Sequence, residues 1–437
     1  MVGKFEHLRN QDLIPGGAHT YSRGDDVFPE NAPRMLTRGR GAWVWDDGGR
    51  KYLDWAMAVR SVSLGHADRR VDLAAFRLAK VGINLSRPTP EEFVLAKRIV
   101  GLFPGADMVK FGKNGSDATA AAIRLSRAVT GRDMILRSDE SQFLGVHDWF
   151  IGSTVMDSGV PRAVKKLTDV FRYGDLLSLE TKLQQHKGKV AAVVLEPLGL
   201  SEPAQHYLRD LVELCHSHGC LVVFDEVVSG FRVGLRGYQG IAKVSPDLSV
   251  FGKAIANGYP LSALAGRRDV MELGGITHEK RRVFLMSSTY GPERVSIGAA
   301  LATLDRLEVR PPFESNTRVM RAVVSSITNG ASRFGLLDRV KITGMTINPN
   351  ISFLDLEGRV SYTIKTAFMR EMVKRGVLLG FHLFSVSASH GAKELSLTLA
   401  AVESSMEAIA ELLGQYGDEG LREQFPVTLP VFRTFNR

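Results

Sequence analysis

The sequence contains very little cysteine. Of its 437 residues only Cys215 and Cys220 are cysteines, too few for a disulfide framework. Because His216 and His218 stand between them, a metal site is one alternative. A helix that ends at Gly219, followed by an apolar strand that begins at Cys220, explains the cluster better. We therefore expect no metal.

The sequence also lacks long apolar runs. No stretch of 18 apolar residues occurs, so we expect no membrane-spanning helix. The N-terminal segment Met1 to Asn10 is polar and has no hydrophobic stretch with a small-residue cleavage site behind it. These features predict a cytoplasmic protein without a membrane partner.

A modest excess of basic residues gives the chain a net charge of +9. The densest basic groups, Arg162–Lys166, Arg267–Arg268 and Lys280–Arg282, are not interleaved with aromatic residues as in proteins that bind single-stranded nucleic acid. We therefore expect no nucleic acid partner. A solvated surface is the favoured explanation of these scattered basic residues, and an anionic substrate or a polyanion is the alternative.

The composition is that of a globular protein, with 44% hydrophobic and 24% charged residues. Continuous apolar runs at Ala191–Leu198, Leu221–Val227 and Leu248–Gly252 predict buried strands, and Leu208–His216 and Gly291–Glu308 predict helices. This βαβ pattern predicts an α/β fold whose large sheet is mainly parallel, or mixed, with helices on both faces.

The two ends of the chain predict a smaller α+β domain. Trp43–Asp54 has two short strands around Asp-Gly, which is a strong hairpin signal. Beyond Pro311 and Pro312, Val340–Glu357 resembles strand material and Lys365–Arg375 a helix. We predict an N-terminal segment of the small domain at 1–65, a large cofactor-binding domain at 66–310 and the rest of the small domain at 311–437.

Two charged residues stand at the ends of predicted buried strands. Lys253 follows the Leu248–Gly252 strand, where α/β folds bind ligands, although a surface lysine is the alternative. Asp225 interrupts an apolar run and needs a cation, which a protonated ring nitrogen or Arg232 could supply. Val227 lies two residues on, on the same strand face, and can pack against a flat ring.

A possible phosphate site precedes a predicted helix over Ala118–Val129. Gly115 permits close approach of the backbone, and we expect Ser116 to cap the helix. The free N–H groups and the helix dipole would then attract a phosphate dianion. Taken alone, the pattern also fits an ordinary capped helix.

A series of motifs stands in a fixed order along nearly the whole chain. They are Pro15-Gly16-Gly17, Gly65-His66-Ala67, Asn114-Gly115-Ser116, Glu196-Pro197, Asp225-Glu226-Val227 with Gly230-Phe231-Arg232, Lys253 with Asn257-Gly258-Tyr259-Pro260, and Ser288-Thr289-Tyr290-Gly291. In these motifs and their separations, the sequence resembles the class III aminotransferases of pyridoxal-phosphate (PLP) fold type I. It resembles especially the branch related to glutamate-1-semialdehyde aminotransferase.

The resemblance implies a pyridoxal 5'-phosphate cofactor and a role for each matching residue. Lys253 would carry the cofactor as a Schiff base and move the proton between the substrate Cα and the cofactor C4′. Asp225 would hold the ring nitrogen, and Gly115 and Ser116 would bind the phosphate. Thr289 would complete the phosphate site of the neighbouring subunit, so a homodimer is expected.

Further residues follow from the same resemblance. Phe143 corresponds to an aromatic residue that stacks on the cofactor ring, a contact that needs only the ring face. Leu144 stands where the family has histidine, which removes a polar group. Glu196 matches the family's Glu-Pro carboxylate near the active site, with an ordinary strand-end carboxylate as the alternative.

The substrate side departs from the family pattern. Arg60 stands in a stretch where the family often has Ser-Trp-Gly, and it could bind a carboxylate or phosphate of the substrate or form a structural salt bridge. Arg23 falls where the semialdehyde enzyme has its carboxylate-binding arginine, although the surrounding residues differ. Both are candidate substrate-binding residues.

We therefore predict a PLP-dependent transaminase that moves an amino group from a small-molecule donor to an aldehyde or ketone acceptor in a biosynthetic pathway. The Asn257–Pro260 form resembles the branch that acts on amino sugars and secondary metabolites, which suggests an anionic or sugar-like acceptor. An aminomutase or a decarboxylase on the same scaffold is the alternative. A catalytically silent PLP-binding protein is the alternative of another class, against which the intact Lys253 and Asp225 argue.

Overall fold

A computed structural model describes residues 13–291 and 293–435. The chain divides into two compact units, one formed by the residues up to Asp68 with Pro312–Val431, the other by Arg69–Pro311 with the segment from Phe432. The polar segment Met1 to Asn10 lies outside the described residues.

The strands are, in chain order, β1 (Leu36–Arg40), β2 (Trp43–Asp46), β3 (Lys51–Asp54), β4 (Met108–Gly112), β5 (Met134–Ser138), β6 (Thr168–Phe171), β7 (Val190–Leu195), β8 (Leu221–Glu226), β9 (Leu248–Phe251), β10 (Ser262–Gly266), β11 (Val340–Thr343), β12 (Asn350–Phe353) and β13 (Val377–Leu378).

The larger unit is built on a seven-stranded sheet with the strand order β4-β10-β9-β8-β7-β5-β6. Strands β9, β8, β7, β5 and β6 run parallel, and β10 is antiparallel to both β9 and β4. The predicted α/β class with a mainly parallel, mixed sheet is confirmed. The three predicted strands are β7, β8 and β9, and nearly every residue in them is buried, as continuous apolar runs require.

The helix that begins the predicted phosphate site corrects one detail of the sequence prediction. The helix spans Gly115–Thr130, and its N-cap is Asn114, not Ser116. Asn114 accepts a hydrogen bond from the backbone N–H of Asp117, whose own side chain bonds back to the Asn114 N–H. Because this reciprocal capping box satisfies two donors, Asn114 is the better cap.

The other helices of the larger unit pack around this sheet or connect its strands. They are Arg69–Ala79, Pro90–Leu102, Asp148–Ile151, Arg162–Lys165, Leu176–Gln185, Tyr207–Ser217, Gly237–Ala242, Arg268–Met271 and Arg294–Val309. In residues 13–291 and 293–435, no helix is both long and apolar enough to cross a membrane.

The segment with the two cysteines is a helix end followed by a strand. Gly219 has a φ of +66°, the expected left-handed conformation, and the Cys220 N–H donates to the Cys215 carbonyl at 3.1 Å. His216 bonds to Asp247 instead of facing a shared metal position. Within the described ranges, no group of three or more His, Cys, Asp or Glu residues is placed to hold a metal ion.

The smaller unit contains a four-stranded sheet with the order β1-β2-β3-β13 and the β11–β12 pair. Strands β2 and β3 form the predicted antiparallel hairpin. The helices of this unit are the single turn Met57–Arg60 and the longer helices Phe313–Arg333, Tyr362–Lys374 and Ala392–Glu423. The helix expected over Lys365–Arg375 begins earlier, at Tyr362, because the Ser361 hydroxyl caps it by accepting the Ile364 N–H at 3.2 Å.

Candidate active site

Lys253 and Asp225 lie on neighbouring parallel strands of the large sheet. Asp225 pairs in register with Val250 of β9, and Lys253 follows the end of β9 after Gly252. Lys253 has a φ of +45°, a conformation that residues with a Cβ rarely adopt and that concentrates at functional sites. The backbone therefore places a partly buried lysine in a strained position at the edge where the strands end.

The Asp225 carboxylate is buried and has few partners. Only 3% of the residue is exposed, and the Val227 N–H donates to Oδ1 at 2.9 Å. Burial raises the pKa of Asp225 to about 7, while the Val227 hydrogen bond and the positive charge of Lys253 act in the opposite direction. The cation that acts on this carboxylate is thus the predicted cofactor-binding lysine.

This environment fits the ring of pyridoxal phosphate. A protonated pyridine nitrogen would give Asp225 an N–H donor and a positive charge together, which are what a buried carboxylate needs to stay ionised. Without them, burial pushes the group towards its neutral form. Asp225 is therefore suited to hold a cationic ring nitrogen.

The start of the Gly115–Thr130 helix lies directly against the end of β8. A Cβ atom at Gly115 would come within 2.8 Å of Val227 Cγ2, so only glycine permits this approach. The first-turn N–H groups of a helix have no acceptor within the helix and attract anions. The predicted phosphate-binding residues therefore lie beside the strand that carries Asp225.

Ser116 connects this helix start to the loop that carries Phe143. The buried Ser116 hydroxyl accepts the Val146 N–H at 3.1 Å. Phe143 is 49% exposed, and its ring centroid lies 6.0 Å from that of Phe150. An exposed face is what a stacking contact requires. Leu144, in contrast, is buried in the hydrophobic core of the larger unit.

Two further predicted cofactor residues occupy loop positions in the same unit. Glu196 comes directly after β7, and its N–H donates to the Ser141 hydroxyl at 3.0 Å. Thr289 is exposed, and its carbonyl accepts a hydrogen bond from the Asn84 side chain at 2.9 Å. The Thr289 side chain is thus accessible from outside the subunit.

The two candidate substrate-binding arginines lie in the smaller unit. Arg23 is exposed and ends a short 3-10 turn, whereas Arg60 is only 8% exposed. Both line one cavity of about 590 Å³, which Asp54 and His66 line as well. The fold therefore brings together two arginines that are far apart in the sequence.

Asp54 and the turn that follows it were not predicted as parts of a site, although Asp54 lines the cavity. Met57, Ala58, Val59 and Arg60 all have positive φ angles, although none is glycine. An aspartate at the end of an apolar strand was the available signal for Asp54. The sequence offers no signal for the turn, because left-handed backbone is normally indicated by glycine or asparagine.

The fold and the site are those of a pyridoxal-phosphate enzyme of fold type I. The family model for Aminotransferase class-III matches residues 26–382, and the chain belongs to this family. It is thus a PLP-dependent transaminase, as the sequence predicted. When bound, this cofactor withdraws electrons from the substrate carbon and accepts and returns its amino group.

Several proteins of known class are similar over almost the whole chain. Glutamate-1-semialdehyde 2,1-aminomutase from Roseiflexus castenholzii is 31% identical, over 91% of this chain and 95% of its own length. A 3-aminobutyryl-CoA aminotransferase from Cloacimonas acidaminovorans is 30% identical, with coverages of 94% and 97%. The structure of the FumI protein of Sphingopyxis sp. MTA144, in its PLP internal aldimine form, superposes with a TM-score of 0.84, 28% identity and coverages of 93% and 98%.

Proposed function

We propose that the protein transfers an amino group from a small amine donor to an aldehyde or ketone acceptor. The observation that carries this proposal is the placement of Lys253 and Asp225 at the ends of neighbouring parallel strands. In this proposal the Lys253 amine holds the cofactor and then moves the proton to and from the substrate Cα. Asp225 keeps a proton on the ring nitrogen and so keeps the ring electron-withdrawing.

The remaining cofactor contacts are assigned on the same basis. Gly115 and Ser116 bind the phosphate through the helix start, and Phe143 stacks its exposed face on the ring. Val227 supports the ring from the strand end, where it packs against Gly115. Glu196 completes the site as the carboxylate that follows β7.

A spectroscopic experiment tests the transfer chemistry. The PLP-loaded protein is mixed with candidate amines, and the visible absorption of the lysine-bound cofactor is followed. With a true donor we expect the band to decrease, and we expect a carbonyl acceptor to restore it. Lys253→Ala should reduce turnover by roughly 10²–10⁴-fold or more, whereas Lys187→Ala, at an exposed lysine, should not. No spectral change with any amine would contradict the proposal.

An aminomutase is the second candidate, because relatives at about 30% identity carry the name glutamate-1-semialdehyde 2,1-aminomutase. A mutase returns both nitrogen and carbon skeleton in one product, whereas a transaminase releases a separate carbonyl compound from the donor. Product analysis with glutamate-1-semialdehyde as the only substrate separates them. Conversion to 5-aminolevulinate without an added acceptor favours the mutase.

The acceptor is proposed to carry an anionic group bound by Arg23 and Arg60. The supporting observation is that both line one cavity, in which Arg60 is nearly buried. Arginine binds carboxylate and phosphate through paired N–H donors. Asp25 and Glu30 also line this cavity, so recognition depends on the local placement of the arginines and not on the overall charge of the cavity.

We also propose a homodimer in which Thr289 contributes to the neighbour's phosphate site. The exposed apolar side chains of segment 76–93 support this assembly, because large exposed apolar clusters mark interaction surfaces. The Arg294 N–H donates to the carbonyl of Ile83 in this segment at 2.9 Å, and Asn84 holds Thr289. The exposed apolar residues of the segment are Phe76, Val81, Ile83, Leu85 and Phe93.

A further inference from the structure

Residues Met57–Arg60 form a left-handed turn of four consecutive non-glycine residues. Their φ angles are +42°, +50°, +59° and +66°. Each conformation is strained because the Cβ atom crowds the following carbonyl oxygen, and the branched side chain of Val59 increases the crowding. Such a turn persists only where surrounding contacts determine it.

Asp54 holds the start of the turn, in addition to the hydrogen bonds that Ser61 and Val62 donate to carbonyls within it. Its Oδ1 accepts hydrogen bonds from the N–H groups of Ala56 at 2.8 Å and Met57 at 3.2 Å. Its Oδ2 lies 2.7 Å from His66 Nε2. The Asp54 side chain is only 4% exposed, and Met57 is completely buried. Both carboxylate oxygens are therefore fixed, and the chain enters the turn in one conformation.

The turn forms part of the wall of the cavity that contains both candidate arginines. Ala58, Val59 and Arg60 line this cavity together with Arg23. A right-handed or extended backbone at these positions would point the Arg60 side chain elsewhere, because reversing the sign of φ redirects the Cα–Cβ bond. The orientation of Arg60 thus depends on the strained turn, and Asp54 fixes the backbone at the start of that turn.

We propose that Asp54 is a positioning residue for substrate specificity: by holding the left-handed turn, it places Arg60 so that the cavity recognises a carboxylate or phosphate group of the substrate. This inference rests on the proposed function of the cavity as the substrate site. In this proposal Asp54 acts on the substrate only through Arg60. Its carboxylate is negatively charged, like the anion, and does not bind it.

The sign of a binding change distinguishes positioning from simple electrostatics. Succinate serves as the anionic probe, and its affinity for the PLP-loaded protein is measured by calorimetry. Removing a carboxylate from the cavity should by itself strengthen the binding of an anion. If Asp54 positions Arg60, Asp54→Ala should instead weaken succinate binding at least about tenfold, as should Arg60→Gln.

Two variants control this measurement. Asp54→Asn keeps an oxygen for the Ala56 and Met57 N–H groups and an amide that can bond to His66, so it should bind succinate within about threefold of the wild type. Asp25→Asn removes a charge from the same cavity without touching the turn, and it should bind succinate as tightly as the wild type or more tightly. Tighter binding by Asp54→Ala, or no binding by the wild type, would overturn the inference.

A thermal unfolding cycle tests the turn without any ligand. Glycine adopts left-handed backbone without strain, so Val59→Gly should raise the melting temperature relative to Val59→Ala. It should also restore part of the stability lost in Asp54→Ala. A lower melting temperature for Val59→Gly than for Val59→Ala would mean that the turn is not left-handed.

The two sets of experiments separate the inference from the proposed function. If amines bleach the cofactor band but Asp54→Ala leaves succinate binding unchanged, the positioning role fails alone. If succinate binding behaves as expected but no amine reacts, the transamination proposal fails and anion recognition by the turn stands.

Discussion

Val227 packs directly against Gly115, so closely that a Cβ atom at position 115 would lie 2.8 Å from Val227 Cγ2. Through this contact the first turn of the Gly115–Thr130 helix lies beside the end of β8. This contact fixes the distance between the proposed phosphate site and Asp225, the carboxylate proposed to bind the ring nitrogen. A small change at Gly115 or Val227 should therefore alter the affinity for the cofactor.

The substitution Gly115→Ala is expected to weaken PLP binding about tenfold, because overpacking at a close contact costs about 1–3 kcal/mol. Adding Val227→Ala should restore much of the affinity by making room for the new methyl group. The affinity is measured by titrating the cofactor-free protein with PLP. Gly101→Ala, at a helical position with open space around it, is the matched control. Equal affinities for wild type and Gly115→Ala would contradict the close approach.

Asp225 should make the cofactor-free protein less stable as the pH rises. Burial raises its pKa from 3.8 to about 7 in the folded protein, so the folded state retains a proton that the unfolded state releases. Stability is therefore lost between about pH 4 and pH 7. Asp225→Asn removes this effect. The difference in the free energy of unfolding, variant minus wild type, should therefore be about 2–4 kcal/mol larger at pH 8 than at pH 4 for the cofactor-free protein.

The same Asp225→Asn variant should bind PLP about 10–100-fold more weakly, because the amide oxygen can still accept a hydrogen bond but carries no negative charge to pair with the protonated ring nitrogen. Urea unfolding at a series of pH values and PLP titration measure the two effects. If the free energy of unfolding changes with pH in the same way for wild type and variant, the pKa of Asp225 is not raised in the folded protein.

His390 should make the smaller unit sensitive to acid. Its Nδ1 accepts the Ser387 N–H, Nε2 bonds to the Asp54 carbonyl, and the ring stacks on Trp55 with centroids 3.9 Å apart. Burial lowers the pKa of His390 from 6.5 to about 4. The unfolded state therefore takes up a proton first, and the stabilisation is present above about pH 6.5 and is lost as the pH falls towards 4.

From this lowered pKa we expect the free energy of unfolding of the smaller unit to decrease by about 2 kcal/mol between pH 7.5 and pH 5. Tryptophan fluorescence during urea unfolding is a suitable measurement, because Trp43, Trp45 and Trp55 lie in the smaller unit. His390→Gln removes the titrating group. Any stability lost by the substitution is the same at every pH, so the variant should show a smaller decrease in the free energy of unfolding between pH 7.5 and pH 5. An unchanged pH dependence in the variant would assign the effect to other groups.

The apolar segment near Thr289 is expected to hold two subunits together. Phe93 is 65% exposed there, and Phe93→Asp should weaken the dimer at least about tenfold by placing a charge in an apolar interface. Sedimentation at several protein concentrations measures the association. Leu177→Asp, at a residue that is 72% exposed elsewhere in the larger unit, is the control. A wild type that is monomeric at all concentrations would contradict the proposed homodimer.

Much of the large sheet could be predicted because its strands are buried on both faces and their apolar runs are continuous. The same runs made Asp225 conspicuous, since a carboxylate has no reason to lie there without a partner. The cap of the Gly115–Thr130 helix was predicted wrongly because Asn114 and Ser116 both have suitable side chains, and only the three-dimensional geometry selects between them.

The left-handed turn after Asp54 could not be predicted for a different reason. Local preference opposes it at every position, and part of its support comes through Asp54, which His66 holds from outside the turn. The domain boundaries and the roles of Glu196, Thr289, Arg23 and Arg60 stay predictions. The roles of these residues depend on contacts with ligands and with a second subunit.

We propose that the Lys253 side chain holds the cofactor covalently. The most direct measurement is to reduce the PLP-loaded protein with borohydride, digest it and locate the phosphopyridoxyl group by mass spectrometry. We expect the label to lie on the peptide that contains Lys253 and to be absent from that position in Lys253→Ala. A label on another lysine of the wild-type protein, or no stable label at all, would contradict it.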